Sequence, residues 1–309
     1  MALDPQVEGL LQAMAAEGNP PIHTLPVPDA RAAAEGLTAL SGEPVPVGSV
    51  RGISIPVGDG VVGARIYTPE GDGPHPGVMF FHGGGWVICS LDTHDNICRT
   101  ICRDAEAVVV SVDYRMAPEF RYPTAVHDCF GATKWVSENA ASLDIDASRL
   151  AVSGDSAGGN LSAVVTQMAR DAGGPAIAFA ALIYPAVDMT RKGGSLDENA
   201  TGYFLETEGM EWFMGHYLTD EQRAEALASP LLHENLAGLP DTFIATCEFD
   251  PLRDEGEAYG DALRANGGHV TTKRYDGLIH GVANMSGALD GGRQLVEDTA
   301  AHLRAALHP

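Results

Sequence analysis

From residue 46 onward, short apolar runs alternate with segments whose apolar residues recur at helical spacing. Residues 77–81 and 107–114 are apolar at nearly every position, which is typical of strands covered on both faces of a sheet. An amphipathic stretch at 93–105 lies between these two runs and predicts a helix, for which Thr93 is a suitable N-cap. Strands that alternate with helices in this way favour a mostly parallel sheet with helices on both faces.

The alternation continues to the end of the chain and predicts an α/β fold with a central sheet of about eight strands. Residues 51–57 and 64–69 form a predicted leading hairpin. The further predicted elements, in chain order, are a helix at 122–141, a strand at 149–154, a helix at 157–172, strands at 176–185 and 242–251, a helix at 253–267, a strand at 269–277 and a helix at 291–307.

Two regions interrupt this rhythm. Residues 1–45 have helical patterns without strand partners, and residues 188–228 contain an amphipathic stretch, 207–218, that is rich in aromatic residues and methionine. Such an insertion is either an extra helix packed on the core or a cap whose apolar underside lines a substrate pocket, and a cap would do both. We therefore divide the chain into N-terminal cap helices at 1–45, a core at 46–187, a cap insertion at 188–228 and the rest of the core at 229–309.

Chain length and charge narrow the class of protein. With 309 residues and 45% hydrophobic content, the chain fits one sizeable α/β domain with an accessory region, or two small domains. The 19 basic and 42 acidic residues give a formal net charge of -23 at pH 7. Such a surface repels phosphate backbones and anionic membranes, so we expect neither nucleic acid nor a membrane as partner. Adaptation to a salty habitat is an alternative reason for the acidic surface.

The cysteines and the chain start bear on the cellular compartment. Cys98 and Cys102 lie one helical turn apart, but the five cysteines form an odd number without metal-type pairing. We interpret these two as apolar thiols on the buried face of a helix and expect a reducing compartment. Asp4 and Glu8 stand where a signal peptide would be basic or apolar, and the longest apolar stretch, 176–187, is too short to span a bilayer. A soluble, cytoplasmic protein is therefore expected.

A turn of small residues carries the most specific chemical signal. Residues 154–158, Gly-Asp-Ser-Ala-Gly, follow a predicted strand directly and open a predicted helix, which is the context of a G-x-S-x-G nucleophile turn. So tight a turn requires tiny residues two positions before and after Ser156. The serine hydroxyl then stands at the carboxyl edge of the sheet, beside the positive end of a helix dipole. Trypsin-like proteases share a similar stretch, but they are all-β proteins with histidine and aspartate upstream of the serine.

A second glycine-rich loop, His-Gly-Gly-Gly at residues 82–85, follows a predicted strand well upstream of this turn. Three consecutive glycines are entropically unfavourable, so they indicate a sharp turn or the close approach of a ligand to main-chain N–H groups. We predict that the N–H groups of Gly83, Gly84 and Ala157 form an oxyanion hole. Because His82 precedes the nucleophile in the chain, we interpret it as a hydrogen-bonding residue that organises the loop rather than as the catalytic base.

The base and its orienting acid are expected on loops that follow later strands, in the order serine, acid, histidine. Of the eleven histidines, His280 is the one in such a position, and we predict that it is the base. Asp250 stands just past the preceding strand and is the predicted acid, with Glu248 as the alternative. Asp254 and Glu255 fall in the first turn of the next helix, where acids commonly interact only with the helix dipole.

These motifs resemble those of the hormone-sensitive-lipase family of α/β-hydrolases, the bacterial family IV esterases. The shared stretches, in chain order, are HGGGW, DYRMAPEFRYP, GDSAGGN, YPAVD, SPLL, DPLRDEG and HGV, and the likeness covers roughly residues 45–309. The resemblance implies an α/β-hydrolase fold with a helical cap and the same triad and oxyanion residues. It also implies a structural role beneath the active site for Asp113, Tyr114, Arg115 and Glu119.

The residues and the resemblance together predict a serine carboxylesterase that hydrolyses short- to medium-chain esters through an acyl-enzyme. The expected partner is a small-molecule ester, with no metal or other cofactor, and a homodimer is one option for the oligomeric state. Two alternatives stay open: an amidase or deacetylase on the same scaffold, and a non-catalytic small-molecule-binding protein. The candidate substrate-binding residues are Trp86, Asp155, Phe204, Leu252 and Ile279.

Overall fold

Eight strands form the central sheet of the structure, a computed structural model that describes residues 2–309. The strands are β1 Ser49–Val57, β2 Gly60–Thr68, β3 His75–Phe81, β4 Val108–Asp113, β5 Ile145–Asp155, β6 Phe179–Ile183, β7 Asp241–Phe249 and β8 Val270–Ile279. Their order across the sheet is β1-β2-β4-β3-β5-β6-β7-β8. β2 pairs antiparallel with β1 and β4, and the other neighbouring strands are parallel. The predicted leading hairpin and mostly parallel sheet are confirmed.

Helices cover both faces of this sheet. They are α1 Pro5–Glu17, α2 Val27–Ala34, α3 Asp95–Asp104, α4 Thr124–Glu138, α5 Ala157–Asp171, α6 Ser195–Glu198, α7 Thr207–Tyr217, α8 Arg253–Ala265 and α9 Asp290–Leu307. α3 and α9 pack on one face, while α4, α5 and α8 pack on the other. All seven residues of β3 and all five of β6 are therefore buried, which accounts for the apolar run at 77–81 and for the apolar sequence of β6. Within residues 2–309, no helix is long and apolar enough to cross a membrane.

The start of α3 differs from the prediction, although its buried face does not. Cys98 and Cys102 are fully buried between α3 and the sheet, as predicted for apolar thiols. The helix begins at Asp95, after a turn, so His94 rather than Thr93 occupies the N-cap position. The Thr93 hydroxyl instead bonds to the backbone of Ser90, at 3.0 Å from its nitrogen and 2.9 Å from its oxygen. The N-cap prediction was wrong because this local turn uses the threonine side chain first.

One arginine of the N-terminal helices makes several hydrogen bonds to the core. The Arg31 guanidinium, on α2, donates to both carboxylate oxygens of Glu119 at 2.9 and 2.7 Å. It also donates to the carbonyl oxygens of Val87 at 2.8 Å and Ala117 at 2.9 Å. Arg31 therefore connects α2 to two segments: the one after the glycine-rich loop, at Val87, and the one after β4, at Glu119.

A buried ion pair supports the loop after β4. Asp128, on α4, is buried and accepts three hydrogen bonds from Arg115: one from its backbone N–H at 3.0 Å and two from its guanidinium at 2.9 and 2.7 Å. Nearby, the Tyr114 hydroxyl donates to the His82 carbonyl oxygen at 2.8 Å. Tyr114 thus connects the segment after β4 to the glycine-rich loop, and Arg115 connects the same segment to α4.

We predict that Asp128→Asn lowers the free energy of unfolding by about 2–3 kcal/mol, because the substitution removes the buried counter-charge of Arg115 and leaves its guanidinium paired only with the exposed carboxylate of Asp59. Urea denaturation monitored by circular dichroism measures the change. The matched control is Glu138→Gln, which removes the exposed Lys134–Glu138 pair at 3.8 Å and should change stability by less than about 0.5 kcal/mol. Equal effects of the two substitutions would contradict the role given to the buried pair.

Candidate active site

Ser156 lies in a strained turn between β5 and α5. Its backbone adopts φ 55° and ψ -117°, which places a non-glycine residue in a sparsely populated region. The neighbours must be small: a Cβ on Gly154 would lie 2.4 Å from the Phe81 carbonyl oxygen, and one on Gly158 would lie 1.8 Å from the same atom. The predicted steric reason for the two glycines therefore holds in the structure.

Two hydrogen bonds connect Ser156 to a histidine and an acid. His280 Nε2 lies 2.9 Å from Ser156 Oγ, and His280 Nδ1 lies 2.8 Å from Asp250 Oδ2. Since a carboxylate accepts only, Nδ1 carries a proton and Nε2 is free to accept the serine proton. Asp250 is fully buried, and its second oxygen accepts from the Leu252 N–H at 2.8 Å, which fixes the orientation of the carboxylate.

The other acids near this strand have different partners. The Glu248 carboxylate accepts from the Gly277 N–H at 2.8 Å. Asp254 accepts from the Ser195 N–H at 2.9 Å and from the Arg253 guanidinium at 2.9 Å. Asp250 is therefore the acid that the structure brings to His280, and Glu248 is not.

The glycine-rich loop departs from the predicted oxyanion hole at one position. The Gly83 N–H donates to Asp155 Oδ1 at 2.8 Å, so its hydrogen atom points away from a substrate bound to Ser156. Gly84, Gly85 and Ala157 line the cavity in front of Ser156, whereas Gly83 does not. The prediction for Gly83 was wrong because the spacing of the motif does not show which of three successive N–H groups the buried aspartate takes.

Bare backbone is required at both cavity-lining glycines. Gly84 has φ 110°, and a Cβ there would lie 2.2 Å from the Ile88 carbonyl oxygen. Gly85 has φ 59°, and a Cβ there would lie 2.3 Å from the Phe213 ring. The loop thus needs glycine for its left-handed backbone and for the close approach of its neighbours.

His82 organises this loop, as the sequence predicted. It is fully buried, stacks on Tyr114 with ring centroids 4.4 Å apart, and its Nδ1 lies 2.7 Å from the Gly83 carbonyl oxygen. Because a carbonyl oxygen accepts, Nδ1 carries the proton. Burial, together with the nearby His94, lowers the pKa of His82 to about 4. His82 is therefore neutral at pH 7 and lies outside the chain of hydrogen bonds that reaches Ser156.

A cavity of about 900 Å³ opens in front of Ser156 and His280. The apolar part of its wall comes from the N-terminal segment, the glycine-rich loop and α7, namely Ile22, Leu37, Ile88, Met210, Phe213 and Met214. Of the candidate substrate-binding residues, Trp86, Phe204 and Leu252 line this cavity. Asp155 also reaches its wall, but its carboxylate is engaged by the Gly83 N–H. Ile279 is fully buried in the core between the sheet and the helices α3 and α9 and does not line the cavity. Its prediction as a pocket residue was therefore wrong.

Backbone strain concentrates around this cavity. Trp86, Cys89, Ser156 and Phe204 all have positive φ and all line the wall. Tyr184, with φ 34°, packs against His280 with ring centroids 4.5 Å apart. Positive φ is unusual for bulky side chains and tends to cluster where a protein positions a ligand. These strained positions, which a pattern of apolar residues does not reveal, agree with a functional site here.

Two buried polar residues of the wall make contacts that the sequence did not predict. His94 Nε2 lies 3.0 Å from Asp155 Oδ1. Glu255 Oε1 accepts from the N–H groups of Val187 at 2.7 Å and Asp188 at 3.2 Å. Burial raises the pKa of Glu255 to about 8, although both N–H groups favour its ionised form. Glu255 therefore supports the segment after β6 and is more than a partner of the α8 dipole.

The comparisons with known proteins agree on the class of protein. Residues 78–284 match the family described as alpha/beta hydrolase fold. The chain is 44% identical to the carboxylic ester hydrolase LipN of Mycobacterium tuberculosis over 82% of this chain and 70% of that protein. It is 34% identical to an ethyl acetate hydrolase of Pseudomonas putida over 94% of this chain and 95% of that protein. A hyperthermophilic esterase from Pyrobaculum calidifontis superposes with a TM-score of 0.94 at 39% identity, covering 99% of both chains.

The fold and these likenesses define an alpha/beta hydrolase, and the chain belongs to that family. Within it, the chain is one of the esterases related to hormone-sensitive lipase, as its motifs predicted. It is an enzyme, a carboxylic ester hydrolase.

We predict that Glu255→Gln gains stability relative to the unmodified protein as the pH rises from about 5 to about 9. The unfolded chain releases the Glu255 proton near 4.5, whereas the folded protein keeps it until about pH 8. Ionisation therefore stabilises the unfolded state across this window, and glutamine cannot ionise. The difference should reach the order of a few kcal/mol. Urea denaturation of both proteins across the pH range tests this, and a difference independent of pH would contradict it.

Proposed function

We propose that this enzyme is a serine carboxylesterase that hydrolyses short- to medium-chain esters through an acyl-enzyme on Ser156. The observation that carries the proposal is the hydrogen-bonded chain of Ser156, His280 and Asp250 at a largely apolar cavity. A serine hydroxyl is a weak nucleophile at neutral pH, and a neighbouring base oriented by an acid activates it.

The first half of the reaction transfers the acyl group to the enzyme. His280 Nε2 takes the Ser156 hydroxyl proton as Oγ attacks the ester carbonyl carbon, which gives a tetrahedral intermediate. Asp250 accepts the Nδ1–H bond and stabilises the imidazolium that forms. When the intermediate collapses, the carbon–oxygen bond to the alcohol breaks, and the proton on Nε2 passes to the leaving oxygen.

The second half returns the enzyme to its starting state. A water molecule takes the place of the alcohol, His280 removes one of its protons, and the hydroxyl oxygen attacks the acyl carbon. The second tetrahedral intermediate collapses, the bond to Ser156 Oγ breaks, and the proton returns to the serine. A carboxylic acid then leaves the cavity.

The N–H groups of Gly84, Gly85 and Ala157 donate hydrogen bonds to the negatively charged oxygen of both intermediates. All three residues line the cavity beside Ser156. Ala157 is the first residue of α5, so its N–H is one of the donors that have no partner within the helix. Donors held in place before the reaction stabilise a developing oxyanion strongly, because they need no reorganisation during the step.

The cap supports a preference for small, water-soluble esters. The N-terminal segment contributes Ile22 and Leu37 to the cavity, and α7 contributes Met210, Phe213 and Met214. These side chains form part of the wall of the cavity that contains Ser156, so an acyl chain has a bounded apolar space to fill. The Pseudomonas putida relative is named for a two-carbon acyl ester, which agrees with this size.

Substitution of the triad tests the proposed mechanism. Ser156→Ala and His280→Ala should each lower kcat on p-nitrophenyl butyrate by about 10⁴- to 10⁶-fold, and the double variant should lose little more, because the two groups act as a unit. Asp250→Asn should be severe, at about 10⁴-fold, because the wrong imidazole tautomer is stabilised. Glu248→Gln is the matched control and should have a mild effect. Multiplying losses in the double variant, or the reverse ranking of the two acids, would overturn the assignment.

An activity profile across p-nitrophenyl esters from acetate to palmitate tests the substrate class. We expect the highest kcat/KM between about two and eight carbons, with each methylene that fits adding up to about 0.8 kcal/mol until the cavity is full. Longer chains should lose kcat/KM because the cap blocks them. A preference for emulsified long-chain triglycerides, with activity that jumps at the lipid interface, would contradict this prediction.

A further inference from the structure

We propose that Asp155 and His94 form a positioning pair that fixes the oxyanion loop against Ser156. The inference deepens the proposed function and rests on it. Asp155 precedes the nucleophile directly, whereas His94 lies just before α3, so the pair joins two loops that are far apart in sequence. The sequence suggested Asp155 as a substrate-binding residue, whereas the proposal gives it a role in holding the backbone of Gly83.

The pair makes a short, buried set of contacts. Asp155 Oδ1 accepts from the Gly83 N–H at 2.8 Å and lies 3.0 Å from His94 Nε2. His94 is 1% and Asp155 is 3% exposed, so neither exchanges these bonds for water readily. The approach is close enough that a Cβ on Gly83 would lie 2.5 Å from Asp155 Oδ2. The first glycine of the loop is therefore required for this contact.

Hydrogen-bonding chemistry fixes the role of each atom. A carboxylate accepts only, so His94 Nε2 carries a proton and donates it to Asp155 Oδ1. The Gly83 N–H also lies 3.3 Å from that nitrogen, but a protonated nitrogen cannot accept, so Gly83 donates to Asp155. Burial opposes ionisation of Asp155, yet His94 and the Gly83 N–H together hold the pKa of this carboxyl below its usual value. The anionic acceptor makes both bonds stronger than neutral ones.

The contacts continue to the loop that bears the catalytic base. His94 Nδ1 lies 2.8 Å from Thr93 Oγ1, and the Thr93 carbonyl oxygen accepts from Asn284 Nδ2 at 3.1 Å. Asn284 belongs to the short turn that follows His280. One network of buried polar groups therefore connects the nucleophile turn, the oxyanion loop and the base loop.

The position of this network explains what it does for the reaction. One peptide bond separates the Gly83 N–H from Gly84, the first of the cavity-lining donors. When Asp155 holds Gly83, the following N–H groups keep their direction relative to Ser156 before substrate arrives. Without the pair the loop would have to be ordered during the step, so kcat would fall while the affinity for the ester in the ground state would stay nearly constant.

The test compares Asp155→Ala, Asp155→Asn and His94→Gln with the unmodified enzyme on p-nitrophenyl butyrate. We expect Asp155→Ala to lower kcat by about 100-fold, comparable to the loss of one oxyanion donor, with little change in KM. Asp155→Asn keeps an acceptor for Gly83, and His94→Gln keeps an N–H donor for Asp155, so both should retain more kcat than Asp155→Ala. Concentrations are set by active-site titration, which removes misfolded protein from the comparison.

A phosphonate that labels Ser156 separates this inference from the proposed function. Its adduct places a phosphoryl oxygen where the oxyanion would form, so Asp155→Ala should be labelled more slowly even if no ester tried is a substrate. If the unmodified enzyme is labelled but hydrolyses no ester, the proposed function fails and the labelling rates still test the pair.

Asp298→Asn is the matched control, since it removes a partly buried carboxylate that accepts from the Tyr275 hydroxyl at 2.7 Å and does not line the cavity, so it should lower stability while kcat per titrated site is unchanged. A normal kcat per site in Asp155→Ala would overturn the inference. So would a raised KM with unchanged kcat, because that result would make Asp155 a substrate-binding residue.

Discussion

One tight turn determines the geometry of the whole site. Ser156 adopts a left-handed backbone between β5 and α5, and the chain passes so close to Phe81 that Gly154 and Gly158 have no room for a side chain. The turn places the serine hydroxyl at the carboxyl edge of a parallel sheet, where the loops after β3, β7 and β8 also meet. A parallel sheet brings these loops together regardless of their separation in sequence, so the turn needs only to aim one hydroxyl at them.

The acids near this edge have separate tasks because each has different partners. Asp250 is buried against His280, Asp155 is buried against Gly83 and His94, and Glu255 holds the segment after β6. In the proposed mechanism the first orients the base and the second holds the oxyanion loop, whereas the third binds the backbone of the segment after β6. All three side chains carry the same carboxyl group, so their burial and their hydrogen-bond donors determine the role of each.

The sequence predicted the fold, and it singled out Ser156, His280 and Asp250, which the structure brings into hydrogen-bond contact, because both predictions rest on local signals. Unbroken apolar runs marked buried strands, and tiny residues around Ser156 marked the turn. Two errors lie where a long-range partner decides the outcome: Asp155 takes the Gly83 N–H, and Ile279 is buried between the sheet and the helices α3 and α9. The third is local, because a turn at Ser90 uses the Thr93 side chain before the helix begins. The contacts of His94 and Glu255 were not predicted, since nothing in their sequence surroundings shows which distant groups they bind.

Detection of an acyl-enzyme on Ser156 tests the proposed mechanism directly. The enzyme is mixed with p-nitrophenyl butyrate, quenched in acid within milliseconds, digested and examined by mass spectrometry. We expect a burst of p-nitrophenol equal to the titrated sites, and one butyryl group on the peptide that contains Ser156. A butyryl group on another residue, or hydrolysis retained by Ser156→Ala, would contradict the proposed mechanism.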